Sequence, residues 1–240
     1  MPLAPIAILR TFKYVMYFNG VNASAAVPYS PSYAVLGSGT WIVWVYIPQL
    51  KSSGGGDIFR DGDYPYRRAE IEMDYPNSRF IAGFDPHWIY TPVGSLTNYV
   101  GRWVMLTYRR ITEQGLHSLI VNNFETSWSG SFPPNTQAPS STIGLTIGYF
   151  NPLMYLYSLM IYSRALTDSE IASIYNNPDS SITSGLVLWL KADPAYIQGN
   201  TWLDLSGNGN NATLYNAQLV QLINPPIQLL PPIAILPPIA

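Results

Sequence analysis

Glu70-Ile-Glu72-Met-Asp74 is the sharpest chemical signal in the chain. Side chains of a β-strand alternate between its two faces, so acids at i, i+2 and i+4 share one face. A pair of carboxyl groups flanking a glycosidic bond is the machinery of glycoside hydrolysis. The same spacing also arises when an antiparallel strand turns its polar residues to water. Arg67 and Arg68 stand just before the acids, which suits a solvated strand edge. The expectation is that Glu70, Glu72 and Asp74 are not catalytic, and that Glu70 and Asp74 lie exposed with no aromatic-lined groove over them.

Other residue groups suggest binding rather than chemistry. Tyr64, Tyr66, Trp88 and Tyr90 fall in loop-like sequence. Aromatic rings stack on sugar faces, so these four are the candidate ligand-binding residues; capping the core is the alternative. Asp204, Asn208 and Asn210 could offer oxygen ligands to Ca²⁺. One carboxylate is few for that ion, and a turn held by its own Asn side chains fits the same residues. Gly207-Asn-Gly209-Asn-Asn-Ala212 matches a dinucleotide fingerprint in spelling. No amphipathic helix follows it and no acid lies downstream, so it reads as a turn. His87 and His117 are the only histidines. They are expected at the surface or rim, not in a zinc site. Asn22-Ala-Ser24 and Asn211-Ala-Thr213 are acceptor tripeptides for N-glycosylation. No cofactor is expected.

The composition narrows the class of protein. Charged residues make up 11% of the 240 residues, against roughly 25% in ordinary soluble domains. Tyr14 to Leu50, Thr126 to Ser163 and everything after Asp204 carry no charge. A surface this neutral suits contact with other subunits or carbohydrate. The net charge is −2 and no basic run exists, which excludes the electrostatic footprint of a nucleic-acid binder. With no cysteine, there is neither a disulfide framework nor a thiolate metal site. The opening MPLAPIAILR lacks the basic start and long apolar run of a Sec signal. Proline pairs at 225–226, 231–232 and 237–238 would repeatedly break a membrane-spanning helix. The expected location is a virion or an extracellular surface.

The elements that must position these residues are mostly strands. Thr40 to Ile47 is β-branched and aromatic throughout, the pattern of a strand buried on both faces. Residues 69–75, 102–109, 116–122, 142–149, 185–190, 201–205 and 212–215 are further strand candidates. Ser52-Ser-Gly-Gly-Gly56 reads as a flexible loop and Asp61-Gly62 as a hairpin turn. One helix is predicted over 167–177. Thr167 and Glu170 form its capping box, Ile171, Ile174 and Tyr175 share a face, and Pro178 ends it. After Asn224 the sequence repeats in six-residue, proline-led units that favour an extended polyproline conformation. Pro-Ile-Ala-Ile-Leu occurs at both Pro5–Leu9 and Pro232–Leu236. The expected division is therefore an apolar arm at 1–13, a sandwich at 14–219 and a Pro-rich arm at 220–240. Pro5, Ile6, Ile8, Leu9, Ile227, Leu230, Ile233 and Leu236 would join copies of the chain, or other subunits, into an assembly.

Several of these strands, in this order, resemble the laminin-G-like branch of the concanavalin-A-like lectin and glucanase superfamily. The resembling pieces are Tyr17-Phe-Asn-Gly20, Trp41 to Pro48, Trp103 to Tyr108, Leu119-Ile-Val-Asn122, and Met160 to Ile171 followed by Tyr175-Asn176. Asn123 departs from the usual Gly. The resemblance covers about residues 14–178 and implies an all-β, two-sheet antiparallel jelly-roll-like sandwich with one short helix. Leu186 to Leu190 and Asp204 to Leu214 resemble the beginning of such a domain, although they come last. A circular permutation, with residues 185–219 completing the first sandwich, would reconcile the order. Family 16 glycoside hydrolases share this superfamily and carry an E-x-D-x-E strand. Here the middle acid is Glu72 and the last is the shorter Asp74, which counts against hydrolysis. The resemblance therefore implies a structural or adhesive module, or a lectin that holds glycans, before it implies a glycanase using Glu70 and Asp74.

Overall fold

The computed structural model describes residues 9–10, 12–222 and 228–229, the first and last pairs as backbone only. The strands in chain order are β1 (Leu9–Arg10), β2 (Tyr14–Asn19), β3 (Ser24–Val27), β4 (Gly39–Tyr46), β5 (Gly55–Asp61), β6 (Ala69–Asp74), β7 (Arg79–Phe84), β8 (His87–Tyr90), β9 (Trp103–Ile111) and β10 (Leu116–Val121). They continue as β11 (Thr126–Ser131), β12 (Leu145–Ile147), β13 (Leu153–Tyr162), β14 (Leu186–Lys191), β15 (Ile197–Gln198), β16 (Thr201–Trp202), β17 (Ala212–Tyr215), β18 (Gln218–Gln221) and β19 (Gln228–Leu229). One α-helix, α1 (Asp168–Asn176), occurs among the described residues. The chain is thus an all-β, two-sheet antiparallel sandwich with one short helix.

The first sheet runs β11-β10-β9-β4-β13-β2-β18, with β14 also paired to β13. The second runs β15-β16-β17-β3-β12-β5-β6-β7-β8. Alternation along β4 explains how the layers stack. Trp41, Val43 and Val45 enter the core between the sheets, while Ile42 and Trp44 enter a second apolar cluster with Ile171, Ile174 and Tyr175 of α1. The strand is buried on both faces, as its composition predicts. The helix forms where its cap dictates. Glu170 N–H donates to Thr167 Oγ1 at 3.3 Å, and Thr167 N–H donates to Glu170 Oε2 at 2.9 Å. With α1 over the first sheet, the outer face of the second sheet is the open one.

Residues 186–221 add strands to both sheets. β14 pairs with β13, β17 with β3, and β18 with β2. The expected sandwich boundary at 219 falls short, because β18 reaches Gln221 and Leu222 N–H donates to Lys13 O at 2.9 Å. Beyond it, β1 and β19 pair within one chain, Leu9 opposite Leu229 and Arg10 opposite Gln228. Leu9 therefore meets the other end of its own chain. Pro5, Ile6, Ile8, Ile227, Leu230, Ile233 and Leu236 lie outside the described residues.

Two expectations about solvation are overturned. Arg68 is fully buried, not at a wet edge. Its Nε donates to Asp61 Oδ1 at 3.1 Å and its terminal nitrogens to the carbonyls of Ser141 and Ile143. Asp61-Gly62 accordingly opens a longer connection, 62–68, whose end folds back so that Arg68 N–H donates to Asp61 O. His117 is buried among Tyr108, Phe84 and Phe132, with its Nδ1 3.2 Å from the Tyr108 hydroxyl. Burial, with His87 and Arg110 nearby, pushes its pKa down to about 4. His87, half-buried beside Phe84 and Phe132, is lowered by burial too.

The same packing yields two predictions. Trp202, on the two-residue β16, is fully buried and its Nε1 donates to Lys191 O at 2.8 Å. Trp189 is only half-buried, because Leu188 and Leu190 take the inward positions of β14. In chemical denaturation Trp202→Ala should lose roughly 3–5 kcal/mol, and Trp189→Ala less than half of that. For His117, the folded state holds the neutral ring, so stability is complete above the unfolded pKa near 6.5. It falls as pH drops from there toward 4. Measured against His117→Asn, the wild type should show an added loss of roughly 2–3 kcal/mol between pH 7 and pH 4. Parallel pH profiles for the two proteins would refute this.

Candidate functional site

The open face of the second sheet carries the acids. Ala69, Ile71 and Met73 of β6 point into the core, so Glu70, Glu72 and Asp74 share the outer face, as the spacing predicts. Their solvation does not follow the expectation. Glu70 is 1% exposed, Asp74 8%, and Glu72 half-buried. The coverage comes from neighbours that β6 alone does not reveal. β6 lies between β5 and β7, far from the sheet's edges. Arg67 Nη1 lies 2.7 Å from Glu70 Oε2, and Arg67 Nε lies 3.0 Å from Asp85 Oδ2. Asp74 accepts from Asn77 Nδ2 at 2.8 Å and from Arg79 Nε at 2.8 Å. Burial alone would raise the Asp74 pKa, yet these bonds hold it below the usual carboxylate value.

The sequence analysis missed Asp57. The ladder between β5 and β6 slips between Asp57 and Phe59, so Ile58 and Phe59 both pack into the core while Asp57 stands opposite Glu72. A bulge of this kind re-aims a side chain. Asp57 has no exposed surface. Arg60 Nε lies 2.8 Å from Asp57 Oδ2 and 3.6 Å from Glu70 Oε2. Oxygens of Asp57, Glu70 and Glu72 gather within 4.8 Å of one another. Burial, followed by the Glu70 charge, pushes Asp57 up to about 9. Burial and the charges of Glu70 and Asp74 raise Glu72 as well. The one legible signal was Ser52-Ser-Gly-Gly-Gly56, read as a loop. In fact Gly55 and Gly56 begin β5. A Cβ at Gly55 would stand 2.1 Å from Glu72 Oε1, so the glycine makes room for that carboxylate.

Aromatic rings ring this charged floor. Arg67 lies over both Trp88, at 4.6 Å, and Tyr64, at 5.5 Å. Arg79 lies over Tyr90 at 4.7 Å. Arg60 lies over Tyr149, at 4.3 Å, and over Phe150. Gly83 stands between Glu70 and Trp88 in the ladder, and a Cβ there would meet the Trp88 ring at 2.9 Å. The glycine lets the indole lie close against the sheet. Of the four expected ligand-binding rings, Tyr64, Trp88 and Tyr90 therefore flank one cluster. Tyr64 is 74% exposed and Tyr90 54%. Tyr66, also exposed, belongs to the same 62–68 connection. These rings flank the acids through the arginines stacked on them.

The Asp204 loop is a different structure. Asp204 Oδ1 accepts from the N–H groups of Trp189 and Ser206, and its Oδ2 from Asn210 N–H and Ser206 Oγ. The Asn208 and Asn210 amides donate to Val187 O. Donors already face both carboxylate oxygens, which makes Asp204 a turn anchor. Asn211 Oδ1 accepts from Asp204 N–H within that turn. Asn22 is exposed, its Oδ1 accepting from Asn19 Nδ2. Among the described residues no helix is long and apolar enough to cross a membrane.

No known family profile matches the chain, and no curated protein does. Solved structures do. A Bacteroides ovatus protein named as a candidate carbohydrate-binding protein superposes with a TM-score of 0.67 at 15% identity, over 90% of this chain and 62% of that one. A botulinum neurotoxin receptor-binding domain, mosaic serotype C/D, gives 0.56 at 11% identity over 71% and 44%. Trypanosoma rangeli sialidase bound to the inhibitor DANA gives 0.52 at 18% identity over 72% and 29%. The chain thus spans less than two thirds of each of these proteins. At such identities the likeness is one of fold, a two-sheet β-sandwich.

Proposed function

We propose that the chain is a non-catalytic, glycan-binding module whose binding face is the outer surface of β5 to β8. The observation that carries this reading is the exposure of Tyr64 and Tyr90 beside a floor of ordered carboxylates and guanidinium groups. Exposed rings stack on the apolar face of a pyranose, and fixed charged groups hydrogen-bond its hydroxyls. The resemblance of sequence to laminin-G-like domains and the likeness of fold to a candidate carbohydrate-binding protein support it. Arg60 and Arg67 together contact Asp57, Asp63, Glu70 and Asp85, so acid exceeds base on this face. Neutral glycans fit that surface better than sialylated or uronate-bearing ones. Hydrolysis does not fit, because a general acid must touch the glycosidic oxygen, and Glu70 and Asp74, the pair expected for it, are both buried.

A second reading, a structural subunit of a virion or extracellular assembly, draws on the apolar ends. Leu9–Arg10 and Gln228–Leu229 pair as β1 and β19, so the two ends of the chain are joined to each other at that point. The two readings are compatible, since adhesive subunits carry binding faces.

Calorimetric titration with a panel of neutral and anionic oligosaccharides tests the first reading. At least one neutral glycan should bind, and Tyr64→Ala with Tyr90→Ala should weaken it tenfold or more, about 1.4 kcal/mol, without changing the melting temperature. Undiminished binding by the double variant, or preference for anionic glycans, would sink the proposal.

A further inference from the structure

Asp57, Glu70 and Glu72 bring three carboxylates together with too little positive charge among them. The two arginines engage only part of the set. Arg60 faces Asp57 Oδ2 and Glu70 Oε2, and Arg67 faces Glu70 Oε2. Asp57 Oδ1 and Glu70 Oε1 are buried and have no hydrogen-bond partner. A buried, unpaired carboxylate oxygen costs free energy that a fold does not normally leave uncompensated. The position is also built. A bulge turns Asp57 onto the face, and Gly55 clears the space that the Glu72 carboxylate occupies.

We propose that Asp57, Glu70 and Glu72 form a site for a divalent cation, Ca²⁺ in preference to Mg²⁺. All-oxygen, carboxylate-rich ligand sets select hard cations. The oxygens lie within 4.8 Å of one another, so a small inward movement of the half-buried Glu72 brings all three to about 2.3–2.6 Å from one ion, the range of Ca²⁺, with water completing the shell on the Glu72 side. Mg²⁺ needs about 2.0–2.1 Å and a near-ideal octahedron, which this wider, irregular set suits less well. The site underlies the glycan-binding face but is independent of it, since it requires no sugar.

Thermal denaturation of the full chain, without glycan, tests the site. After chelation, millimolar Ca²⁺ should raise the wild-type melting temperature by several degrees and saturate, with a smaller effect of Mg²⁺. Asp57→Asn removes one carboxylate and relieves the crowding. It should melt higher than the wild type when both are metal-free, and lose most of the Ca²⁺ response. Glu72→Gln, on a half-buried side chain, should weaken apparent Ca²⁺ affinity tenfold or more while remaining folded. No wild-type response to Ca²⁺, or an equal response in Asp57→Asn and Glu72→Gln, would overturn the proposal and leave a proton shared by Asp57 and Glu70 as the occupant. Loss of the Ca²⁺ response would not touch the glycan reading, which rests on Tyr64 and Tyr90 in the titration above.

Discussion

The arrangement depends on a pair of arginines buried where the two sheets meet. Arg110, at the end of β9 in the first sheet, donates to the carbonyls of Val35, Gly37 and Arg68. Arg68, at the start of β6 in the second sheet, pairs with Asp61 and donates to the carbonyls of Ser141 and Ile143. Their guanidinium groups thereby tie both sheets to the segments crossing between them. Backbone carbonyls in such crossings lack ladder partners, and a buried carbonyl without a donor is costly. A planar guanidinium with five donors satisfies several at once, which Lys or a neutral amide would not. The clasp also sets the register of β6. With Ala69 directed inward next to buried Arg68, Glu70 has to face out.

That register explains how much of the site was legible in the sequence. Period-two alternation is local, so the shared face of Glu70, Glu72 and Asp74 could be read directly. Whether the face was wet could not, because its cover comes from Arg60 on β5, Asp85 after β7, rings on β8 and rings on separate loops. The pairing partner of a strand is not encoded in the strand. The helix was legible almost to the residue, since a capping box and an i, i+3, i+4 stripe are complete within eleven residues. Thr40 to Ile47 was legible because both its faces are apolar. Asp57 was not, since a bulge changes which face a residue occupies and leaves no composition signal beyond two glycines. The burial of Trp202 was not legible for a similar reason: a two-residue strand shows no periodicity, and burial there is set by the surrounding layers.

The scarcity of charge in this chain takes on a different meaning once the fold is known. Many of the few acids and bases are not spread over the surface but drawn into the interior clasp and onto one face of the second sheet. Elsewhere the charges stand mostly in isolated surface pairs such as Arg102–Glu125, Arg109–Asp168 and Lys191–Asp179. The central part of the first sheet's outer face is closed by α1, and Trp44, Trp103 and Tyr157 beneath it form a second apolar cluster. The asymmetry leaves one sheet face on which side chains are both ordered and reachable, and that face holds the exposed rings.

Within that face, local rules are broken in a concentrated way. A strand interior begins with two glycines, three carboxylates crowd together, and buried oxygens lack partners. Sequences that fold well tend to be consistent at every level, and exceptions gather where a protein does something other than fold. The clasp formed by Arg68 and Arg110 is charged and buried too, yet its donors meet acceptors on several sides. It reads as architecture. The outer cluster has acceptors in excess of donors, so it is incomplete by itself. Completion needs something that brings positive charge or donors from outside the chain, and a ligand is the most direct source of both.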